Sequence, residues 1–204
     1  SDNKKFFPNK VCLHSNDTVK WSEEMDFENK YLVQVESLRH QININLKQVF
    51  YDRNREIKNI LVFGDLDNNI SENLIKILSS KKDIKFFFKK HPGSSIKKED
   101  YKIPNIYFIE ESEIDYKKYD CVIISNASGA VFTPYYLNIP FLIFLDSNFF
   151  NLCPINDLSK EKFFYDISTF NLSLKNLAIQ KFNNKKIHKF DNSTNLWINL
   201  INNN

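Results

Sequence analysis

Glycine is nearly absent from this sequence: Gly64, Gly93 and Gly129 are the only three in 204 residues. That scarcity excludes several functions at once. Glycines so placed cannot write a GxxxxGK[ST] phosphate loop, a GxGxxG dinucleotide turn or a GxSxG nucleophile elbow. A P-loop NTPase, a dinucleotide dehydrogenase and an α/β-hydrolase are therefore set aside. Cysteine is equally sparse. Cys12, Cys121 and Cys153 are odd in number and far apart, and no Cys/His spacing builds a zinc site. Neither a metal nor another cofactor is expected. Cys12 and Cys121 sit inside apolar runs and read as buried free thiols, which suits a reducing cytoplasm. No apolar run approaches the ~20 residues that span a bilayer, and the opening SDNKKFFPNK has no signal-peptide character. Strong net charge is missing too. With 28 basic and 25 acidic residues the balance is +3, too mild to argue for nucleic acid, and no DNA- or RNA-reading motif is present.

What the chain does have is apolar volume, including 19 Phe and 9 Tyr, arranged in short runs that alternate with helical patterns. KVCLH (10–14), YLVQVE (31–36), NILVFGD (59–65), IKFFFKK (84–90), IYFIE (106–110), CVIIS (121–125) and FLIFLD (141–146) read as strands. Between and after them, 17–25, 37–56, 71–80, 115–119, 128–137, 171–182 and 193–202 read as helices, the fourth very short and the fifth despite Pro134. Continuous apolar strands separated by helices indicate a parallel sheet covered on both faces. The right-handed crossover rule then gives an α/β, doubly wound, Rossmann-like open sheet. The charged stretch YDRNREIK suggests a boundary at 56, with residues 1–56 as one piece and 57–204 as the main domain.

Each glycine follows the end of an expected strand, in NILVFGD, FFFKKHPG and CVIISNASG. In an open α/β sheet those carboxyl ends form the ligand crevice, and glycine is kept where the backbone must bend or come close to something. In SNASGAV, backbone N–H groups and the hydroxyls of Ser125 and Ser128 gather at a helix start, a setting that suits a phosphate; equally, Ser128 is an ordinary N-cap. In FFFKKHPGSS, Pro92 fixes the backbone after His91 and biases His91 toward an extended conformation, which projects its imidazole from the strand end. An imidazole there can donate to a phosphate oxygen or protonate a departing one. His14, His40 and His188 carry no such context and read as structural or solvated.

The order of these pieces resembles one family. A Lys-x-His-Pro strand end, Lys89 to Pro92, is followed about 35 residues later by a strand ending Ser125-Asn126-Ala127-Ser128 and then a helix. This is similar to the nucleotide-binding C-terminal half of bacterial GT-B glycosyltransferases, in particular CMP-sugar users: sialyltransferases, Kdo transferases and related proteins of surface-carbohydrate biosynthesis. Upstream, VCLHSNDTVKWSEEM and KYLVQVESLRH resemble the family's passage between its two Rossmann domains, with a junction around Glu36 and Arg39. The resemblance covers residues 8 to 170.

It implies that His91, steadied by Pro92, stabilises charge on the CMP leaving group, with Lys89 and Gly93 beside the nucleotide. Ser125, Ser128 and the Gly129 N–H would hold the same phosphate, with Asn126 also among the nucleotide-binding residues. Glu113 would accept the ribose hydroxyls, although Glu110 and Glu111 are near enough in sequence to take that role. The implied partners are a CMP-sugar donor, whose sugar is a 2-keto acid such as a sialic acid or Kdo, and a glycan acceptor. The family's acceptor-activating base usually sits in the N-terminal domain, of which 1–56 would supply only the last elements. Three other readings stand beside this one. They are a transferase of glycerol or ribitol phosphate from a CDP donor, a non-catalytic nucleotide-binding module, and a protein that also meets anionic lipid, peripheral to an inner membrane, through the lysine clusters at 81–102 and 181–190.

Overall fold

The computed structural model describes residues 9–13, 16–35, 56–126, 128–155, 158–177 and 195–202. The chain forms two compact units, one comprising 1–47 with 184–204 and the other 48–183. The division falls nine residues ahead of the boundary read from YDRNREIK, and the C-terminal stretch groups with the first unit. The expected helix over 37–56 lies outside the described residues apart from Glu56, as do Glu36, Arg39 and the lysine cluster at 181–190.

The first unit contains β1 (Val11–Leu13), α1 (Asn16–Glu24) and β2 (Leu32–Gln34). β1 and β2 pair in parallel with Val11 opposite Leu32, so α1 is the crossover of a βαβ unit. Its C-terminal part supplies α5 (Asn195–Asn202). Cys12 on β1 is half-buried rather than sealed, and it is a free thiol, as are Cys121 and Cys153.

The second unit is built on β3 (Asn59–Phe63), β4 (Lys85–Lys89), β5 (Ile106–Phe108), β6 (Cys121–Ser125), β7 (Phe141–Phe144) and β8 (Phe163–Phe164). All pairings are parallel, and the order across the sheet is β5-β4-β3-β6-β7-β8. Three helices accompany them: α2 (Asn68–Ser79) between β3 and β4, α3 (Phe132–Leu137) between β6 and β7, and α4 (Ile167–Leu177) after β8. The chain winds outward from β3 through β4 to β5, then returns to the other side of β3 and winds outward again through β8. This is the doubly wound, Rossmann-like architecture expected from the strand pattern.

Alternation along the strands divides the core between two faces. Ile60, Val62, Phe86, Phe88, Cys121, Ile123, Leu142 and Phe144 pack with Leu74, Leu78, Phe170 and Leu177 of α2 and α4. Phenylalanines dominate this layer, with ring centroids of Phe164 and Phe170 4.8 Å apart and those of Phe144 and Phe164 5.4 Å apart. On the other face Tyr135 of α3 meets Phe141 at 6.4 Å, and Phe87 stacks on Tyr107 at 5.5 Å.

Several element boundaries differ from the sequence reading for local reasons. α2 starts three residues early because Asp67 caps it, accepting the N–H of Asn69 at 2.8 Å; Ser71, the expected start, is buried inside the helix. The expected helix over 128–137 begins as a 3₁₀ turn, Gly129–Val131, and only Phe132–Leu137 is α-helical. Pro134 fits because it lies in that helix's first turn, where its missing N–H has no intrahelical partner to lose. The short helix read over 115–119 is a 3₁₀ turn, Tyr116–Lys118. β8 is two residues long, too short to stand out in the sequence.

Candidate functional site

In a doubly wound sheet the ligand crevice opens beyond the carboxyl ends of the strands where the winding reverses. Here that point lies between β3 and β6. A cleft of about 420 Å³ sits there, lined by Asp65, Leu66, Asp67 and Ile70 after β3, Asn126 after β6, and Asp146, Phe149 and Leu152 after β7.

The loop after β4 is tied to the start of α2. Ser94 Oγ donates to Asn68 Oδ1 at 2.8 Å, the Ser95 N–H donates to the same oxygen at 3.2 Å, and the Asn68 amide donates to Ser95 Oγ. Within the loop, His91 Nδ1 accepts the N–H of Gly93 at 3.1 Å. A neutral imidazole with an accepting Nδ1 carries its proton on Nε2, so Nε2 is the donor this loop offers. Gly93 lies close under Leu66: a Cβ there would stand 2.7 Å from Leu66 Cδ1, the tip of an exposed side chain that can swing aside. Lys89 pairs with Glu111 at 2.6 Å and rests 5.8 Å from the Phe63 ring centroid.

The loop after β6 has a different character. Ser125 is sealed in the sheet at 1% exposure, and its Oγ has no hydrogen-bond partner. Asn126 is buried and serves as a staple, accepting the Leu152 N–H at 3.0 Å and donating to the Phe150 carbonyl. Ser128 Oγ accepts the Ala130 N–H at 3.2 Å, capping the 3₁₀ turn. Gly129 is exposed, and a Cβ on it would meet nothing within 4 Å. The helix that follows has six residues, so little dipole stands behind this loop.

The acidic stretch expected to read a ribose is occupied with its own geometry. The Glu110 N–H donates to Glu113 Oε2 at 2.7 Å, and the two glutamates close a reciprocal capping box around the Glu111–Glu113 turn. Glu111 holds Lys89. All three therefore have structural partners.

His91 and Ser128 thus follow β4 and β6, the two neighbours of β3, on one edge of one sheet. At ~4.8 Å per strand their strand ends are separated by about 10 Å. Of the residues read from the sequence as a site, Asn126 alone lines the cleft; Lys89, His91, Pro92, Gly93, Glu113, Ser125, Ser128 and Gly129 do not.

Sequence reasoning missed the carboxylates that do. Asp65 and Asp146 are both buried. Asp65 Oδ1 accepts the Asp67 N–H at 3.0 Å. Its Oδ2 makes no hydrogen bond within the protein, and the residue lines the cleft. Asp146 accepts from the Asn148 N–H and side-chain amide, both at 3.0 Å, and from the Asn73 amide at 2.8 Å. Burial alone would raise its pKa, but these hydrogen bonds outweigh burial and hold it below the ordinary value. A signal was present in the sequence. NILVFGD and FLIFLD both carry an aspartate straight from an apolar run to the sheet's carboxyl edge.

The cleft's chemistry follows from this lining. Among the described residues, no lysine, arginine or histidine contributes to it. A phosphate charge about 5 Å from one of these carboxylates would be repelled by roughly 3 kcal/mol at an effective dielectric of 20. Hydroxyl donors, by contrast, suit ionised carboxylates, and Leu66, Ile70, Phe149 and Leu152 offer apolar contact. Among the described residues, no three His, Cys, Asp or Glu side chains group closely enough to hold a metal ion, and no helix is long and apolar enough to cross a membrane.

The fold and the cleft define a Rossmann-like α/β domain with a pocket at its topological switch point. No protein-family model matches the chain, and a search of curated proteins returned no match.

Proposed function

We propose that this chain is the donor-binding part of a GT-B-type glycosyltransferase that transfers a 2-keto acid sugar, a sialic acid or Kdo, from a CMP donor to a surface glycan. The observation that carries the reading is the placement of its two motif loops. His91-Pro92 and Ser125–Gly129 end the two strands that flank β3, on the edge where an open α/β sheet takes its ligand. The His91 Nε2–H then faces charge developing on the departing CMP phosphate, and the N–H groups and hydroxyl around Ser128 serve the same anion from the other side. The elements β1, α1 and β2 are, in this reading, the end of an acceptor-binding Rossmann domain that brings the glycan and the base that activates it.

The test is a calorimetric and thermal-shift panel of CMP, CDP, UDP and GDP on this chain, with His91→Ala beside it. A ligand held by the folded state at about a hundred times its Kd adds ~2.7 kcal/mol of stability, a plain rise in Tm. CMP is expected to give the largest rise, and His91→Ala to reduce it. A preference for CDP favours transfer of glycerol or ribitol phosphate, and a preference for UDP or GDP overturns the CMP assignment. Full CMP affinity in His91→Ala overturns the role of the imidazole, and the absence of any nucleotide binding overturns the reading.

A further inference from the structure

The proposed function leaves a mismatch between ligand and cleft. A nucleotide's charge is concentrated on its phosphate, yet the pocket at the switch point is lined by Asp65, Asp67 and Asp146 and, among the described residues, by no cation. The two candidate phosphate donors, His91 and Ser128, stand outside its lining. The anion and the cleft therefore require different parts of one ligand.

Asp65 shows which part the cleft suits. The residue is nine-tenths buried, a costly place for a carboxylate unless its oxygens are satisfied. Oδ1 is satisfied by the Asp67 N–H, which also fixes the plane of the carboxylate. Oδ2 makes no hydrogen bond within the protein, on a residue that lines the cleft. Asp67 is similar: its Oδ1 caps α2 through the Asn69 N–H, leaving its other oxygen with no hydrogen bond. Asp146 already accepts three hydrogen bonds from Asn73 and Asn148, so it contributes charge more than reach. Asp65 and Asp67 together bring to the cleft's lining, just ahead of α2, two carboxylates that each keep an acceptor for a hydroxyl donor. Phe149 and Leu152, held over the cleft by Asn126, give a wall for ring atoms and a flat base. A volume of about 420 Å³ is near the lower end of small-molecule sites and suits a nucleoside rather than a whole nucleotide sugar.

We infer that the cleft takes the nucleoside moiety, with Asp65 accepting the ribose hydroxyls, and that the phosphate lies outside it toward His91 and Ser128. This rests on the donor-nucleotide reading above and moves the ribose contact from the Glu110–Glu113 stretch to the end of β3.

The experiment is titration calorimetry of the full chain with CMP, cytidine and 2′,3′-dideoxycytidine, repeated on Asp65→Ala and His91→Ala. Cytidine is expected to bind without its phosphate, and dideoxycytidine about tenfold or more weaker. Asp65→Ala should weaken CMP and cytidine by the same factor, whereas His91→Ala should weaken CMP and leave cytidine unchanged. Equal affinity of cytidine and dideoxycytidine overturns the inference, as does an Asp65→Ala affinity for cytidine within twofold of the wild type. The dideoxycytidine comparison needs no substitution, so it decides the matter even where Asp65→Ala does not fold. CMP binding that ignores both Asp65 and the hydroxyls sinks this inference alone; failure of every nucleotide and nucleoside sinks the functional reading with it.

Discussion

Asn126 and Leu152 are 26 residues apart in sequence, and the Asn126 side chain accepts the Leu152 N–H at 3.0 Å. With the second bond to the Phe150 carbonyl, one buried amide fastens the segment after β7 to the end of β6. It thereby sets the wall of the cleft. Asn126→Ala removes both bonds and leaves two main-chain groups to find water. A loss of about 2 kcal/mol is expected, at the usual 1 kcal/mol per hydrogen bond. Urea denaturation measures it. A loss below ~0.5 kcal/mol would show that the staple does not hold the loop.

The glycines separate two kinds of position. At Gly64 a Cβ would lie 2.7 Å from Phe88 Cζ, 3.0 Å from Cε1 and 3.2 Å from Ser71 Oγ. Phe88 is fully buried and cannot swing away, so Gly64→Ala should cost about 1–3 kcal/mol through overpacking. At Gly129 a Cβ meets nothing, and none of the glycines has a positive φ. Gly129→Ala should leave Tm unchanged within a degree or two. Any effect it has on CMP affinity then reports ligand contact rather than folding.

Asp120 joins the two strands that meet at the switch point. Its Oδ2 accepts the N–H groups of Lys58 and Asn59 at 3.0 and 2.8 Å, fixing the start of β3 against the start of β6. Asp120→Ala leaves both of these part-buried donors without that acceptor. A destabilisation of about 2–4 kcal/mol is expected, since bonds to a charged group are worth roughly 1.5–3 kcal/mol each and some water replaces them. The denaturant midpoint should fall while the m-value stays constant.

Lys162 gives the protein a pH signature. Burial depresses its pKa from 10.5 to about 8, with Nζ 4.2 Å from the Phe141 ring centroid. Because the lysine pKa is lower in the fold, the unfolded chain holds more protons between pH 8 and 10.5. Stability from this group therefore rises with pH across that window. Cys121, pushed up to about 12 by burial, acts in the opposite direction above pH 9, where the unfolded thiol ionises first. The difference in unfolding free energy between the wild type and Lys162→Met isolates the lysine. It should shift in favour of the wild type by about 1 kcal/mol between pH 8 and 9. A pH-independent difference would contradict the depressed pKa.

The fold was legible because its signal is local. Apolar runs such as NILVF, CVIIS and FLIF cannot be half-exposed, so they imply strands buried on both faces and a parallel sheet between helices. The scarcity of glycine was informative in the same way. Among the described residues, left-handed positions fall to Asp26 at φ 62° and Asn138 at φ 58°, which leaves Gly64 for a place where the buried Phe88 ring presses on the backbone.

The site was only partly legible, because lining a pocket is not a local property. Sequence order placed the His91 and Ser128 loops on one edge. It could not show that Ser125 is sealed, that Ser128 and Glu113 cap their own turns, or that Glu111 holds Lys89. Nor could it show that the winding reverses between β3 and β6, bringing Asp65, Asn126 and Asp146 to one cleft from three separate strands. The sequence by itself determined the layers and the edge on which a ligand belongs, through burial and periodicity. Only the tertiary structure decided which side chains remain free at that edge, because each hydrogen bond made within the protein removes a group from those a ligand can meet.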